Sequence, residues 1–411
     1  MKKIVIIFTL ACSVGCCLGQ QRNLGWFIAQ ARQNSPLIKD YGNQVLINQL
    51  DSQRIKATYR PQVNGNSTNI YAPVIAGFGY DGAITNGGQV TALVGINQQL
   101  ISKKYLSAQF ETLRIQNQGL DNASRVSEQD LGRTVTAQYV TVYGDQQQLR
   151  FAEDIAHMLR KEDTLLKKLT ESNVYRQTDY LTFLVTRQQQ DLVIRQLSIQ
   201  LKNDFAGLHY LCGTMDTMQA DLPDPGLQLS ILPPTSQSVF FKKFELDSLQ
   251  LINSKSLVDY SYKPKVSLFA DGGYNSTLTY QAQKNFGTSF GFTVSVPIYD
   301  GHQRQIQYKK LNIQERTRQG YKDFFTAQYN QQVAQLLQQL NATSSLIGDI
   351  EHQIKYAEGL INVNMRLLET GDVKIADLVI AVNNYLTAKN LLTQNNTSKL
   401  QIINQINYWN R

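Results

Sequence analysis

Proline sets the strongest limit on what this chain can fold into. All nine prolines stand at 36, 61, 73, 223, 225, 233, 234, 264 and 297, so residues 74–222 and 298–411 contain none. Proline lacks a backbone N–H and clashes with the preceding turn, so long helices are permitted in those two spans and broken elsewhere. The second span uses the permission fully. Between 301 and 370 apolar residues recur on a three/four spacing: Phe325, Tyr329, Val333, Leu336, Leu340, Ile347, Ile350, Ile354, Ala357, Ile361 and Leu368. That is a heptad-like seam. At about 1.5 Å per residue it makes a rod of roughly 100 Å. Gly371, within Leu367-Leu-Glu-Thr-Gly-Asp-Val-Lys-Ile-Ala-Asp-Leu378, supplies the backbone freedom to turn back. A second seam follows: Ile375, Leu378, Val382, Tyr385, the stem of Lys389, and Leu392.

Alone, this stretch would be a long coiled-coil hairpin. Its design, however, occurs twice. Residues 24–59 read as a first helix region, with Ser35-Pro36 as a cap and a first-turn proline. Strands are predicted at about 62–72 and 89–101; in the latter Val90, Ala92, Val94 and Ile96 share one face. A long helix over about 103–171 and a turn near Asn173 follow, with a shorter helix over 179–211. Residues 215–236 are proline-rich, aperiodic and read as a linker. The order then restarts: a helix over 239–260, strands at about 265–275 and 288–299, a long helix over 301–370, the turn at Gly371, and a last helix. Tyr262-Lys-Pro-Lys-Val266 echoes Tyr59-Arg-Pro-Gln-Val63. Leu100 and Asp179 stand 79 residues apart, as do Ile298 and Asp377. Rod length is conserved between the halves while the hairpin loops vary, which marks an internal duplication of 20–214 in 237–411.

Residues 1–19 have a basic start and an apolar core too short to span a bilayer, as in a secretory signal peptide. Cys16 is a candidate for lipidation, although Ser13-Val-Gly15 ahead of it fits a lipoprotein cleavage site poorly. Once the leader is removed, Cys212 is the only cysteine, which leaves no intrachain disulfide. The net charge of +8 is dispersed, unlike a nucleic-acid footprint. His157, His209, His302 and His352 form no metal-binding spacing, and no phosphate-binding glycine loop occurs. No catalytic constellation, metal site or cofactor site is read, so an enzyme is not expected.

The strands alternate apolar and small polar residues over about ten positions, the pattern of transmembrane β-structure. Four strands are too few to close a useful barrel, and open edges are not tolerated in lipid. Membrane-spanning strands would therefore require several chains to share one barrel.

These features together resemble the TolC family of outer-membrane factors. The resemblance rests on Leu24-Gly-Trp-Phe-Ile-Ala-Gln-Ala-Arg-Gln-Asn-Ser-Pro36, on the duplicated strand-strand-long-helix-turn-helix order, on Val296-Pro-Ile-Tyr-Asp-Gly301, and on the tip from Gly371 to Asp377. It implies a mainly α chain with a small β part, forming a homotrimer with a shared 12-stranded β-barrel and a long α-helical periplasmic barrel. It also implies the outer membrane of a Gram-negative bacterium, contact with membrane lipid, a periplasmic adaptor, and an RND-type or ABC transporter of the inner membrane. The function implied is the exit duct of a tripartite efflux pump for drugs or metals, with type I protein secretion as the alternative. A non-channel coiled-coil scaffold of the envelope is the reading from another class.

The family's gate lies at the helical tips. Aligning the two turns places Asn173 with Gly371 and Asp179 with Asp377, so both aspartates are implied to line the constriction. As plain helix N-terminal carboxylates they would also be favoured by the helix dipole. Arg176 and Lys374 lie close by and would bridge neighbouring chains. Two departures from the family pattern stand out: Asn173 replaces a glycine, and Ile380 occupies a position where a second acid can occur.

Overall fold

The structure, a computed structural model, describes residues 22–80, 87–215, 220–278 and 281–410. The expected signal peptide and Cys16 lie outside the described residues. Most of the chain is helical, with one small antiparallel sheet. In order come α1 (Leu24–Asn34), α2 (Pro36–Thr58), β1 (Gln62–Tyr71), β2 (Gly88–Leu100), α3 (Lys103–Glu171) and α4 (Gln177–Leu211). The second half supplies α5 (Val239–Ser261), β3 (Lys265–Ser276), β4 (Phe286–Ser295), α6 (Gln303–Thr370) and α7 (Ile375–Asn407). The two long helices have 69 and 68 residues.

Proline explains where two elements differ from expectation. The first helix region is two helices, because Ser35, ahead of Pro36, is extended at ψ 117 and ends α1. The last strand stops at Ser295 rather than near 299, two residues short of Pro297, which has no N–H for a ladder. Asp300 then starts α6: its Oδ1 accepts from the N–H of His302 and its Oδ2 from that of Arg304, each at 2.9 Å.

The chain divides into two compact units, and each draws on both halves of the sequence. One comprises the residues up to Ser35, Gln129–Ile231 and Val333–Asn410. Here the heptad seam is the core: Leu336, Leu340, Ile347, Ile350, Ile354, Ala357, Ile361 and Leu368 of α6 are all buried. From α3, Val135, Tyr139 and Val142 pack with Phe27 of α1 and Phe205 and Leu208 of α4, around the buried thiol of Cys212. Burial pushes that thiol up to about 11, which leaves it unreactive.

In the same unit residues 220–231 of the expected linker are tied down without regular structure. The side-chain amide of Gln146 donates to Ala220 O at 2.8 Å and accepts from Leu222 N at 3.1 Å. Asn407 repeats the motif, donating to Gln228 O at 2.7 Å and accepting from Ser230 N at 2.8 Å. Each amide takes the carbonyl of one linker residue and the N–H two residues later, as a neighbouring strand would. Tyr139 Oη adds a bond to Pro223 O at 2.8 Å.

The other unit comprises Pro36–Glu128 and Leu232–Gln332. Its sheet has the order β1-β2-β3-β4, antiparallel throughout, so β2 and β3 join the two sequence halves. Phe241 of α5 packs edge-on against Phe325 and Tyr329 of α6. Asn253 of α5 donates to Ala108 O and to Thr112 Oγ1 of α3.

Candidate functional site

Two features of this chain need a function: a sheet with unlike faces and a pair of helical turns.

The register of the sheet sorts its side chains into two faces. Directly paired residues share a face, so Val63, Ile96, Ala270 and Phe290 form one row across all four strands. Ser67, Ala92, Tyr274 and Phe286 form another row on that face, with Leu268–Phe292 and Val266–Val294 beyond. The opposite face carries Asn64, Asp271 and Ser289 in one row, Thr68, Thr91 and Asn275 in another, and Gln99, Ser267 and Thr293 in a third, with Ile70, Leu93 and Phe269 as its apolar exceptions. Ser289 Oγ donates to Asp271 on this polar face. The apolar face is bare: Phe290 is 88% exposed and Phe292 70%. A contiguous apolar surface of this kind is not left to water. Strands β1 and β4 end the sheet without a further partner among the described residues, so both edges offer unpaired ladder groups.

The tip lies in the other unit, where two helix hairpins turn. After α3, Asn173 N–H binds Thr170 O at 3.0 Å and Val174 N–H binds Leu169 O at 2.9 Å. After α6, Gly371 N–H binds Leu368 O at 3.3 Å and Asp372 N–H binds Leu367 O at 3.0 Å. Both are Schellman caps built on a left-handed residue, with φ 62 at Asn173 and φ 80 at Gly371. Asparagine takes this conformation more readily than other β-carbon residues, so it can replace glycine in the first half.

The two turns touch. Tyr175 Oη donates to Leu368 O at 2.9 Å, and a Cβ on Gly371 would lie 3.1 Å from Val174 Cγ1. Below them Leu166, Phe183, Leu368, Ile375 and Leu378 form a dry cluster, each at most 1% exposed. Asp163 of α3 binds α4 through Tyr180 Oη at 3.0 Å and an ion pair with Arg187.

The singled-out charges take equivalent positions. Arg176 and Lys374 are the N-caps of α4 and α7, both extended and without a side-chain cap bond. Asp179 and Asp377 lie in the first turns, their N–H groups bound to Arg176 O and Lys374 O at 3.0 Å. Asp377 is exposed and Asp179 half-buried. Asn364 Nδ2 donates to the main-chain oxygen of Asp377 at 3.3 Å, so the helix is held while the carboxylate stays free to face outward. Among the described residues none of the four charged side chains forms an ion pair within the chain. Ile380 is 56% exposed beside them.

Sequence reasoning missed three residues of this unit. Tyr175 joins the turns. Glu162 is buried on α3, its carboxyl raised above the usual range by burial and by Glu369, against an opposing pull from Lys161. Asp145 is buried with one oxygen bound by Gln200 Nε2 at 3.1 Å. Its carboxyl is pushed up to about 7 by burial and by Asp204. The signal for both acids was an ionisable residue on the seam side of α3, between Leu159 and Leu166 and between Val142 and Leu149.

Among the described residues no three of His, Cys, Asp and Glu gather to hold a metal ion. No described helix is long and apolar enough to cross a membrane.

No protein-family model matches the sequence, and no curated protein matches it. Solved structures do. A membrane protein from Pseudomonas aeruginosa has 13% identity and a TM-score of 0.74, with 94% of this chain and 90% of that one covered. CusC, in a study of transmembrane channel formation, has 14% identity and a TM-score of 0.73 over 94% and 91%. VceC, an outer membrane protein of Vibrio cholerae, has 12% identity and a TM-score of 0.72 over 94% and 96%. At such identities the likeness is one of fold.

Proposed function

We infer, from a fold shared with the TolC-family outer-membrane channels, that this chain is a subunit of a passive outer-membrane duct. The observation that carries the reading is the two-faced sheet. An exposed apolar face suits lipid, an Asn/Ser/Thr-rich face suits a hydrated lumen, and the open edges of β1 and β4 suit a barrel shared between copies. Three copies would give twelve strands. Residues 20–214 and 237–411 are then two copies of one unit, joined by 215–236.

The helical unit is the periplasmic tunnel wall of this reading, and the paired turns are its closing end. Asp179 and Asp377 face the constriction. Arg176 and Lys374, unpaired within the chain, bridge to neighbouring copies. An adaptor with an RND-type or ABC transporter opens the tips, and small molecules leave by diffusion, with no chemical step assigned to the chain. Support for the tip reading is positional: equivalent caps, equivalent first-turn acids, and a dry cluster that makes each tip a rigid body.

Single-channel recording tests both levels. Purified protein in a planar bilayer is expected to conduct, and to run as a heat-modifiable oligomer. Absence of both would favour the coiled-coil scaffold. Asp179→Ala with Asp377→Ala is expected to raise the open fraction; unchanged conductance and opening would remove the tips from the gate.

A further inference from the structure

The helix-side rim of the sheet carries a charge pattern that a duct by itself does not explain. The start of β1, the end of β2, the start of β3 and the end of β4 lie along one side, since Gln62 pairs with Asn97, Leu100 with Val266 and Lys265 with Ser295. Around these four crossings stand Lys56, Arg60, Lys103, Lys104, Lys263, Lys265 and Arg304, all exposed. The acids are two. Asp259 is bound by Arg304 and Tyr308, and Asp300 caps α6. Arg60, Lys103, Lys104, Lys263 and Lys265 have no carboxylate partner among the described residues.

The other ends of the strands are different. The loop sequences 72–87 and 277–285 hold one aspartate, Asp81, and one lysine, Lys284. The strands themselves carry only Lys265 and Asp271, both on the polar face. Cationic charge is thus concentrated at one border of the apolar face, seven residues against the single Lys284 at the other.

Aromatic rings line the same border. Tyr105 and Tyr260 meet edge-on at 6.3 Å, Lys263 lies 4.8 Å over the ring of Tyr260, and Lys56 lies 5.4 Å over that of Phe110. Tyrosine and lysine at a membrane border place rings at headgroup level and charges in the headgroup layer. Between α3 and α5 the rim holds a shallow, open depression of about 420 Å³, lined by Lys103, Lys104, Ser107, Asn253, Ser256 and Tyr260, with Glu111 at its side. Glu111 is engaged by Arg114 through two bonds. Lys103 and Lys104 occupy the first turn of α3, where the helix dipole disfavours cations. An anion there relieves both charges.

We propose that this rim is a binding surface for anionic phospholipid headgroups, with Arg60, Lys103, Lys104 and Lys263 as the contacting cations. It rests on the reading of the sheet as membrane-spanning. The phosphate lies near Lys103 and Lys104 in the depression, with the hydroxyls of Ser107 and Ser256 as donors. The acyl chains run along the apolar face beyond Val266 and Leu268.

The test uses the full oligomer in nanodiscs of phosphatidylcholine, with and without phosphatidylglycerol at about one third, and native mass spectrometry to count retained lipids. The expected result is enrichment of phosphatidylglycerol among retained lipids, falling about fivefold for each rim cation neutralised at low salt and collapsing when salt is raised several-fold. The variant is Arg60→Gln with Lys103→Gln, Lys104→Gln and Lys263→Gln. Lys167→Gln with Lys168→Gln, Lys202→Gln and Lys355→Gln, four exposed lysines of the other unit, controls for net charge and is expected to retain the enrichment. The salt titration of the unaltered protein tests the rim even where the fourfold variant folds poorly. Retention of both lipids in bulk proportion at low salt overturns the proposal, and so does enrichment unchanged in the rim variant. Conductance in pure phosphatidylcholine, recorded in parallel, keeps the two levels apart. A protein that conducts there without lipid preference refutes only the rim, whereas one that enters neither membrane refutes the spanning sheet as well.

Discussion

The two Schellman turns allow a quantitative comparison inside one molecule. Gly371 sits at φ 80, where a β-carbon residue is strained by about 1–2 kcal/mol. An added Cβ would also press on Val174 Cγ1 at 3.1 Å. Gly371→Ala is therefore expected to lose about 1–2 kcal/mol of local stability. Asn173 adopts the same conformation at φ 62, so Asn173→Gly is expected to change stability by only a few tenths, while Asn173→Ala loses about 1 kcal/mol. Hydrogen exchange reads these energies where they act. The reporters are the amides of Asp372, bound to Leu367 O, and Val174, bound to Leu169 O. Since about 1.4 kcal/mol is a factor of ten, Gly371→Ala should reduce protection of Asp372 by roughly 5–30-fold. Asn173→Gly should leave Val174 within about twofold. Equal protection in Gly371→Ala and the parent, or a tenfold loss in Asn173→Gly, would refute the equivalence of the turns.

Three further outcomes follow from the geometry. Leu368→Ala removes a fully buried side chain from the dry cluster and should cost about 2–5 kcal/mol, read as a drop in urea midpoint. Gly273→Ala places a Cβ 2.2 Å from the Ala92 carbonyl oxygen at φ 150 and should abolish the heat-modifiable oligomer. Gly287→Ala, with nothing within 4 Å, should leave that oligomer intact. Asp145 has a folded pKa of about 7 against 3.8 ordinarily, so its proton is held more tightly in the native state. Stability from this group is full below about pH 4 and is lost as pH rises toward 7. Asp145→Asn should flatten the urea midpoint across that window; an unchanged slope would assign the pH dependence elsewhere.

Much of this architecture could be read from the sequence because it is periodic. The seam from Leu336 to Leu368 repeats on heptad spacing, and every one of its predicted positions is buried. The tip was legible for a related reason: the left-handed cap admits glycine or asparagine and little else, so Gly371 and Asn173 marked it. What escaped was aperiodic. Tyr175 acts through one hydroxyl whose acceptor, Leu368 O, lies 193 residues away, and no local pattern announces such a bond. The linker was read, but not its anchoring, which comes from Gln146, Tyr139 and Asn407, on helices distant in sequence. The sheet was read strand by strand, but only the register showed that most apolar positions of the four strands fall on one surface, with Ile70, Leu93 and Phe269 on the other.

The clasped linker has a consequence for how such a chain tolerates change. At Ala220, Leu222, Pro223, Gln228 and Ser230 the helices grip main-chain atoms, which every residue type offers at the carbonyl and all but proline at the N–H. The information that shapes the linker is therefore stored outside it. Apart from Leu222, buried in the core, and Asp221, paired with Arg150, its own letters are freer to drift than Gln146, Tyr139 and Asn407, so descendants of this chain can diversify that segment without relearning how to hold it.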